Sequence, residues 1–210
     1  MHRWVQTLNC WLRKVPVWPG YILGFVPAAW LIWLGVQNQL GPNPVKALEH
    51  ELGIIGLQLL LASLLITPLL HVTRINLIRF RRLIGLMAFY YICLHFAVYL
   101  FLDLQLNWGQ IVKDITKRPY IIVGTVSLLL LVPLAVTSND WAIRKLASAR
   151  WRLLHMLVYP AAILSGLHFV WLSKTWAVEP YAYTAAMITL VAWRPGRRWW
   201  KTRQRAAVQA

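Results

Sequence analysis

The chain has 210 residues, 59% of them hydrophobic and only 13% charged, and its 22 Lys and Arg against six Asp and Glu give a formal net charge of +16. Several uncharged apolar runs of membrane length, with a positive mean hydropathy, exclude a basic nucleic-acid-binding domain as the source of that charge and place the chain among integral membrane proteins. The two cysteines, Cys10 and Cys93, form no CxxC pair and support neither a disulfide nor a metal site.

Taken in order, the N-terminal MHRWVQTLNCWLRKVP (1–16) is basic and precedes an apolar run, the arrangement of a signal peptide. The run at 17–36 is longer than a signal core and is expected to stay as the first span. GPNPVKALEHELG (41–53) is turn-rich and reads as a loop with an interfacial helix. The second span is 52–70, followed by the basic connector HVTRINLIRFRR (71–82) and the third span, 83–102. A mixed-charge loop at 103–119 leads to the fourth span, 120–138. The basic connector NDWAIRKLASAR then enters the fifth span, 153–172. The sixth, 175–193, is shortened by Glu179 and Pro180, and the basic tail beyond it is expected to fray into solvent.

The expectation is a single domain over 1–210, an all-α integral membrane protein folded as a six-transmembrane-helix bundle. Six spans put both termini on one side. The N-terminal piece, the 71–82 and 139–152 connectors and the tail hold 17 Lys and Arg; the other side holds only Lys46, Lys113, Lys117, Arg118 and Lys174. Lys and Arg accumulate in cytoplasmic loops, so both termini are expected to be cytoplasmic.

Imidazoles inside an apolar run need a reason, because ionisable groups in a membrane are costly and commonly functional. His95 lies ~18 Å along the third span from Leu83, and His168 ~22 Å along the fifth from Leu153. At these depths they face each other across helices that run the same way, as two imidazole ligands of one haem iron would in a helical bundle. His155 lies 13 residues before His168, ~20 Å along the helix and about 140° around it, so the two cannot share an iron. His155 is read as ligand of a second, cytoplasmic-side haem, as a propionate cap, or as a quinone or flavin contact, with His71 as a candidate partner. Tyr91 and Tyr99 flank His95 at i−4 and i+4 and read as core packing, with porphyrin contact or hydrogen-bond donation as the alternative. Arg81, Arg82 and Trp151 sit at the cytoplasmic mouth, where propionates or a flavin phosphate need donors. His2 and His50 lie at the ends of expected elements and read as solvated. No GxGxxG, P-loop or nicotinamide domain is present, so electrons must come from elsewhere.

Taken together, NPVKALEHELG, LLLASLLITPL, RRLIGL ahead of His95, TKRPY, LAVTS, WRLLHMLVY and HFVW make the chain resemble the MsrQ (YedZ) family over nearly its whole length. That family is the haem-binding membrane subunit of a periplasmic methionine sulfoxide reductase system, in the ferric-reductase-like transmembrane group. The resemblance implies that His95, His155 and His168 ligate haem b, one or two per chain, and that FMN is also bound. It implies electron transfer from the quinone pool to a periplasmic molybdopterin reductase of the MsrP type, across the bacterial inner membrane. The chain would then be an electron-transfer subunit and not the catalytic one. The alternative is a transmembrane ferric or oxygen reductase fed by a cytosolic flavin reductase.

Overall fold

The computed structural model describes residues 2–173 and 177–209, with side chains described over 3–173 and 177–193. Its helices are α1 (His2–Lys14), α2 (Trp18–Val36), α3 (Pro44–Thr73), α4 (Arg81–Ala97), α5 (Trp108–Lys117), α6 (Pro119–Val136), α7 (Asp140–Leu154), α8 (Val158–Leu172) and α9 (Val178–Gln209). No strand occurs among the described residues. Five stretches are long and apolar enough to cross a membrane: Trp18–Val36, Pro44–Thr73, Ile78–Asp103, Pro119–Val136 and Asp140–Leu172. The expected sixth span is not among them. Its first residues, 175 and 176, lie outside the described residues, and the remainder opens α9, whose uncharged stretch runs only from Pro180 to Trp193. The tail expected to fray has a helical backbone as far as Gln209.

Small residues set how closely the helices approach. Along α2, Gly20, Gly24 and Ala28 recur every four residues and face Leu83, Met87 and Tyr91 of α4, which recur with the same period. A Cβ at Gly20 would lie 2.4 Å from a Leu83 methyl, and one at Gly24 2.5 Å from the Met87 sulfur. Such stripes drive association in lipid, where apolar burial alone gives no preference for protein over hydrocarbon. Elsewhere α2 is exposed, with Trp18, Ile22, Leu23, Trp30 and Trp33 facing outward, as expected of a lipid-facing helix.

Tyr91 also closes a gap in α2. Pro27 lies inside that helix, and around it the Tyr91 hydroxyl accepts from the Ala28 N–H at 3.1 Å and donates to the Gly24 carbonyl at 2.7 Å. It thus spans two groups that would otherwise bond each other. Satisfying them matters because hydrocarbon offers no water. Tyr91, 1% exposed, thus packs in the core and also donates a hydrogen bond, to a helix carbonyl.

The stretch at 41–53, read as a loop with an interfacial helix, leads at Pro44 straight into the membrane helix α3, with no separate interfacial helix. Asn43 caps α3 by accepting from the Lys46 N–H, and Pro44 takes the first helical position, where its missing N–H costs nothing. The 30 residues of α3 extend ~45 Å, more than a bilayer core needs, so Lys46, Glu49 and His50 ride on the projecting turns. The 103–119 loop likewise contains α5, capped by Asn107. The 139–152 connector is α7, capped by Asn139 and kinked at Ala147, where φ is 59°. At the opposite end of the bundle, Asn9 of α1 bonds the backbone of Arg74 and Asn76, and Arg79 donates to the last carbonyls of α1, Leu12 and Arg13.

The two best-packed pairs are antiparallel: α3 with α4, and α6 with α8. Ser127 of α6 donates to the Ala161 carbonyl and shares a 2.8 Å hydrogen bond with Ser165, tying α6 to α8. Gln58 donates to the Tyr183 hydroxyl, joining α3 to α9. Tyr91→Phe removes both contacts to α2 and is expected to destabilise the folded protein by about 1–3 kcal/mol. Thermal denaturation in detergent, followed by circular dichroism, would show this as a lowered midpoint; an unchanged midpoint would refute the role.

Candidate functional site

His95, near the C-terminal end of α4, lies against α3. Its Nδ1 is 2.8 Å from the Glu49 carbonyl oxygen. A carbonyl only accepts, so Nδ1 carries the proton and Nε2 of the neutral ring keeps its lone pair. The ring fits because residue 53 is glycine: a Cβ there would lie 3.0 Å from Nδ1. His168 of α8 repeats the construction on α6. Its Nδ1 donates to the Tyr120 carbonyl at 2.7 Å, and a Cβ at Gly124 would lie 2.7 Å from Nδ1 and 2.8 Å from Cε1. In both helices the glycine follows the accepting carbonyl by four residues, one turn, so the ring covers the place where the side chain would be.

These two bonds aim both Nε2 lone pairs away from the helices that hold the rings. Fixing one ring nitrogen by a carbonyl so that the other can coordinate is how metal-ligating histidines are oriented. The ring centroids are 6.3 Å apart and the planes cross at 78°. Two imidazoles on a shared metal, with nitrogens ~2 Å from it, have centroids about 6 Å apart. Among the described residues no group of three or more His, Cys, Asp or Glu is arranged to hold a metal. A metal between these two imidazoles must bring its other ligands with it, as porphyrin does for iron. The donor set, the two glycine cradles and the spacing all fit haem.

The imidazoles face a cavity of ≈ 290 Å³, near the lower end of organic-ligand sites. Leu57, Ile92, Ile121 and Leu128 line it, with Ser127 and Ser165 deep in the wall; Lys46, Glu49, His50 and Arg118 line its outer end. His50, expected to be solvated at an element's end, is exposed but borders this cavity, its ring 6.2 Å from that of Phe169. Tyr99 also lines the cavity, buried within a π-helical turn, Val98–Asp103, that ends the third span.

His155 belongs to a different cluster. The chain passes from α7 to α8 through a 3-10 turn, His155–Leu157, three residues before Pro160. There the Trp151 ring stacks on His155 with centroids 3.8 Å apart, and the Trp151 Nε1 donates to the Thr137 carbonyl at 2.9 Å. The Thr137 hydroxyl lies 3.2 Å from His155 Nε2. Thr137 ends α6 and Tyr120 begins it, so the clusters lie ~25 Å apart along that helix. Arg82 pairs with Asp140 at 2.6 Å on the surface, and His71 is exposed in the last turn of α3. Neither lines the cavity, nor do Trp151 and His155. The chain's only other histidine, His2, has a side chain outside the described residues.

Residues 52–166 match the family model described as the ferric reductase like transmembrane component. Curated relatives named protein-methionine-sulfoxide reductase heme-binding subunit MsrQ, from Brucella ovis, Brucella abortus and Brucella suis, are each 48% identical over 190 residues, covering 90% of this chain and 86% of the relative. The chain belongs to the MsrQ family. The ferric-reductase-like segment of this MsrQ-family chain begins at Leu52, one residue before the first glycine cradle, and runs through α4 and α6 into α8.

Gly53, Gly124 and the two carbonyls were not singled out by sequence reasoning. A signal was available, since a glycine sits within the first five residues of each apolar run that must pass a histidine-bearing helix, Gly53 in 52–70 and Gly124 in 120–138. Gly124→Ala, whose Cβ would have to displace ring atoms of His168, is expected to reduce haem content in purified protein more than Gly53→Ala, with far-ultraviolet helicity unchanged. Pyridine haemochrome assays of both variants check this order.

Proposed function

We propose that this MsrQ-family protein binds haem b between His95 and His168 and carries electrons from the quinone pool to a periplasmic methionine sulfoxide reductase of the MsrP type. The observation that carries the reading is the pair of facing imidazoles, each with Nδ1 committed to a helix carbonyl. Haem bound there supplies one-electron redox chemistry. The chain's own residues hold the neutral tautomers, fix the ring planes and exclude water with the apolar wall. The product of such electron delivery is methionine regenerated from its sulfoxide in oxidised periplasmic proteins.

In this reading the bundle has six spans in the bacterial inner membrane, with α9 supplying the sixth and both termini cytoplasmic, as the Lys and Arg distribution supports. His95 and His168 then serve the periplasmic half. His155, with Trp151 stacked on it, serves the cytoplasmic half as a second haem ligand or a quinone contact. FMN, associated with the family, has no residue assigned to it.

Purified wild type should show a b-type reduced-minus-oxidised spectrum. His95→Ala and His168→Ala should each abolish the signal of the periplasmic-side haem, and His155→Ala should leave it. Quinol should reduce the wild-type haem, and the reduced haem should reoxidise on addition of the partner reductase and methionine sulfoxide. Haem content per chain and a b-type spectrum both unchanged from wild type in His95→Ala and in His168→Ala would overturn the ligand assignment. Reduction of ferric iron or oxygen with only a cytosolic flavin reductase as donor would instead support the alternative activity.

A further inference from the structure

A second, polar pocket of ≈ 390 Å³ adjoins the imidazole cavity at its outer end, lined by Lys46, Asp103, Gln110, Lys113, Asp114 and Arg118, among others. Lys46 and Arg118 line both spaces. Their positions follow the same pattern as the imidazole cradles. On α3, Lys46 precedes the accepting carbonyl of Glu49 by three residues and Gly53 by seven; on α6, Arg118 precedes the carbonyl of Tyr120 by two and Gly124 by six. Each cradle helix therefore presents, toward the same end, a cation, then a carbonyl, then a glycine.

We propose that Lys46 and Arg118 form the seat for the two carboxylates of the macrocycle held by His95 and His168. The inference rests on the haem reading above and adds the orientation of the group. Haem carries both propionates on one edge, and an ionised carboxylate among Leu57, Ile92 and Leu128 would lie unpaired in hydrocarbon. Among the described residues Lys46 and Arg118 are the only Lys or Arg lining the cavity, and both lie at its outer end. The edge bearing the propionates points there.

Both cations have donors to spare. Lys46 Nζ, with three N–H donors, lies 3.0 Å from Glu49 Oε2 and 2.6 Å from Asp103 Oδ2. Arg118, with five, meets Asp114 Oδ2 at 3.1 Å. These carboxylates orient the cations and also compete with an incoming propionate. Lys113 and Lys117 on α5 add positive charge around the same pocket.

The test uses detergent-purified full-length wild type and the variants Lys46→Gln, Arg118→Gln, the double variant, Lys46→Arg and Asp103→Asn. Haem per chain by pyridine haemochrome comes first, since a wild type without haem fails the parent reading and not this one alone. The second readout is the rate of haem transfer to excess apomyoglobin. Each single Gln variant should lose haem about ten-fold faster than wild type, the size of one charge-assisted hydrogen bond. The double variant should be faster still, with Lys46→Arg near wild type. Asp103→Asn separates a seat from a structural ion pair. If Lys46 holds a propionate, removing its competitor leaves haem loss unchanged or slower. If Asp103→Asn sheds haem as fast as Lys46→Gln, or if the Gln variants release haem at the wild-type rate, the proposal is overturned.

Discussion

The structure depends on two hydrogen bonds, from His95 Nδ1 to the Glu49 carbonyl and from His168 Nδ1 to the Tyr120 carbonyl. Each consumes the only proton of a neutral imidazole and so leaves the Nε2 lone pair available to a metal. In hydrocarbon the choice of tautomer is decided by partners within the protein, because no water is there to compete. The acceptors are helix carbonyls already bonded within their own helices, so they are rigid, and the rings inherit that rigidity. Orientation of ligands before any metal arrives is what a redox site requires if its geometry is to stay fixed through electron transfer.

The rest of the fold serves this arrangement through close approach. Gly53 and Gly124 let α4 and α8 come near enough for a ring edge to reach a neighbouring backbone, and Gly20 and Gly24 bring α2 onto the far side of α4. Tyr91, one turn before His95, uses its hydroxyl to close the gap in α2 around Pro27. The α4 helix is thus held on one side by α2 and on the other by α3, which fixes His95 along and around its axis. Ser127 with Ser165 and Ala161 does the same for α8 against α6.

Much of this was legible in the sequence because long apolar runs and buried histidines are strong signals. The pairing of His95 with His168, and the separation of His155 from both, follow from counting residues along a helix. What the pattern hid were interactions made through backbone and through missing side chains. A carbonyl has no signature in sequence, and a glycine in a membrane helix is common enough to pass without remark. The start of α3 reads from sequence as a loop with an interfacial helix because Pro42 and Pro44 look like loop residues, while Asn43 and Pro44 together start a helix that runs on without a break into the second span. α9 was harder for a different reason: Glu179 and the arginines from Arg194 bracket an uncharged stretch shorter than a full span.

The central claim is that His95 and His168 ligate one iron with crossed ring planes, and low-temperature electron paramagnetic resonance of oxidised wild-type protein tests it most directly. Near-perpendicular imidazoles, at the 78° found between these rings, give a strongly anisotropic low-spin ferric signal, distinct from the rhombic signal of parallel ligand planes. The account predicts that anisotropic signal in wild type and its disappearance in His168→Ala. A ferric haem that is wholly high-spin, or a low-spin signal that survives His168→Ala unchanged, would contradict it.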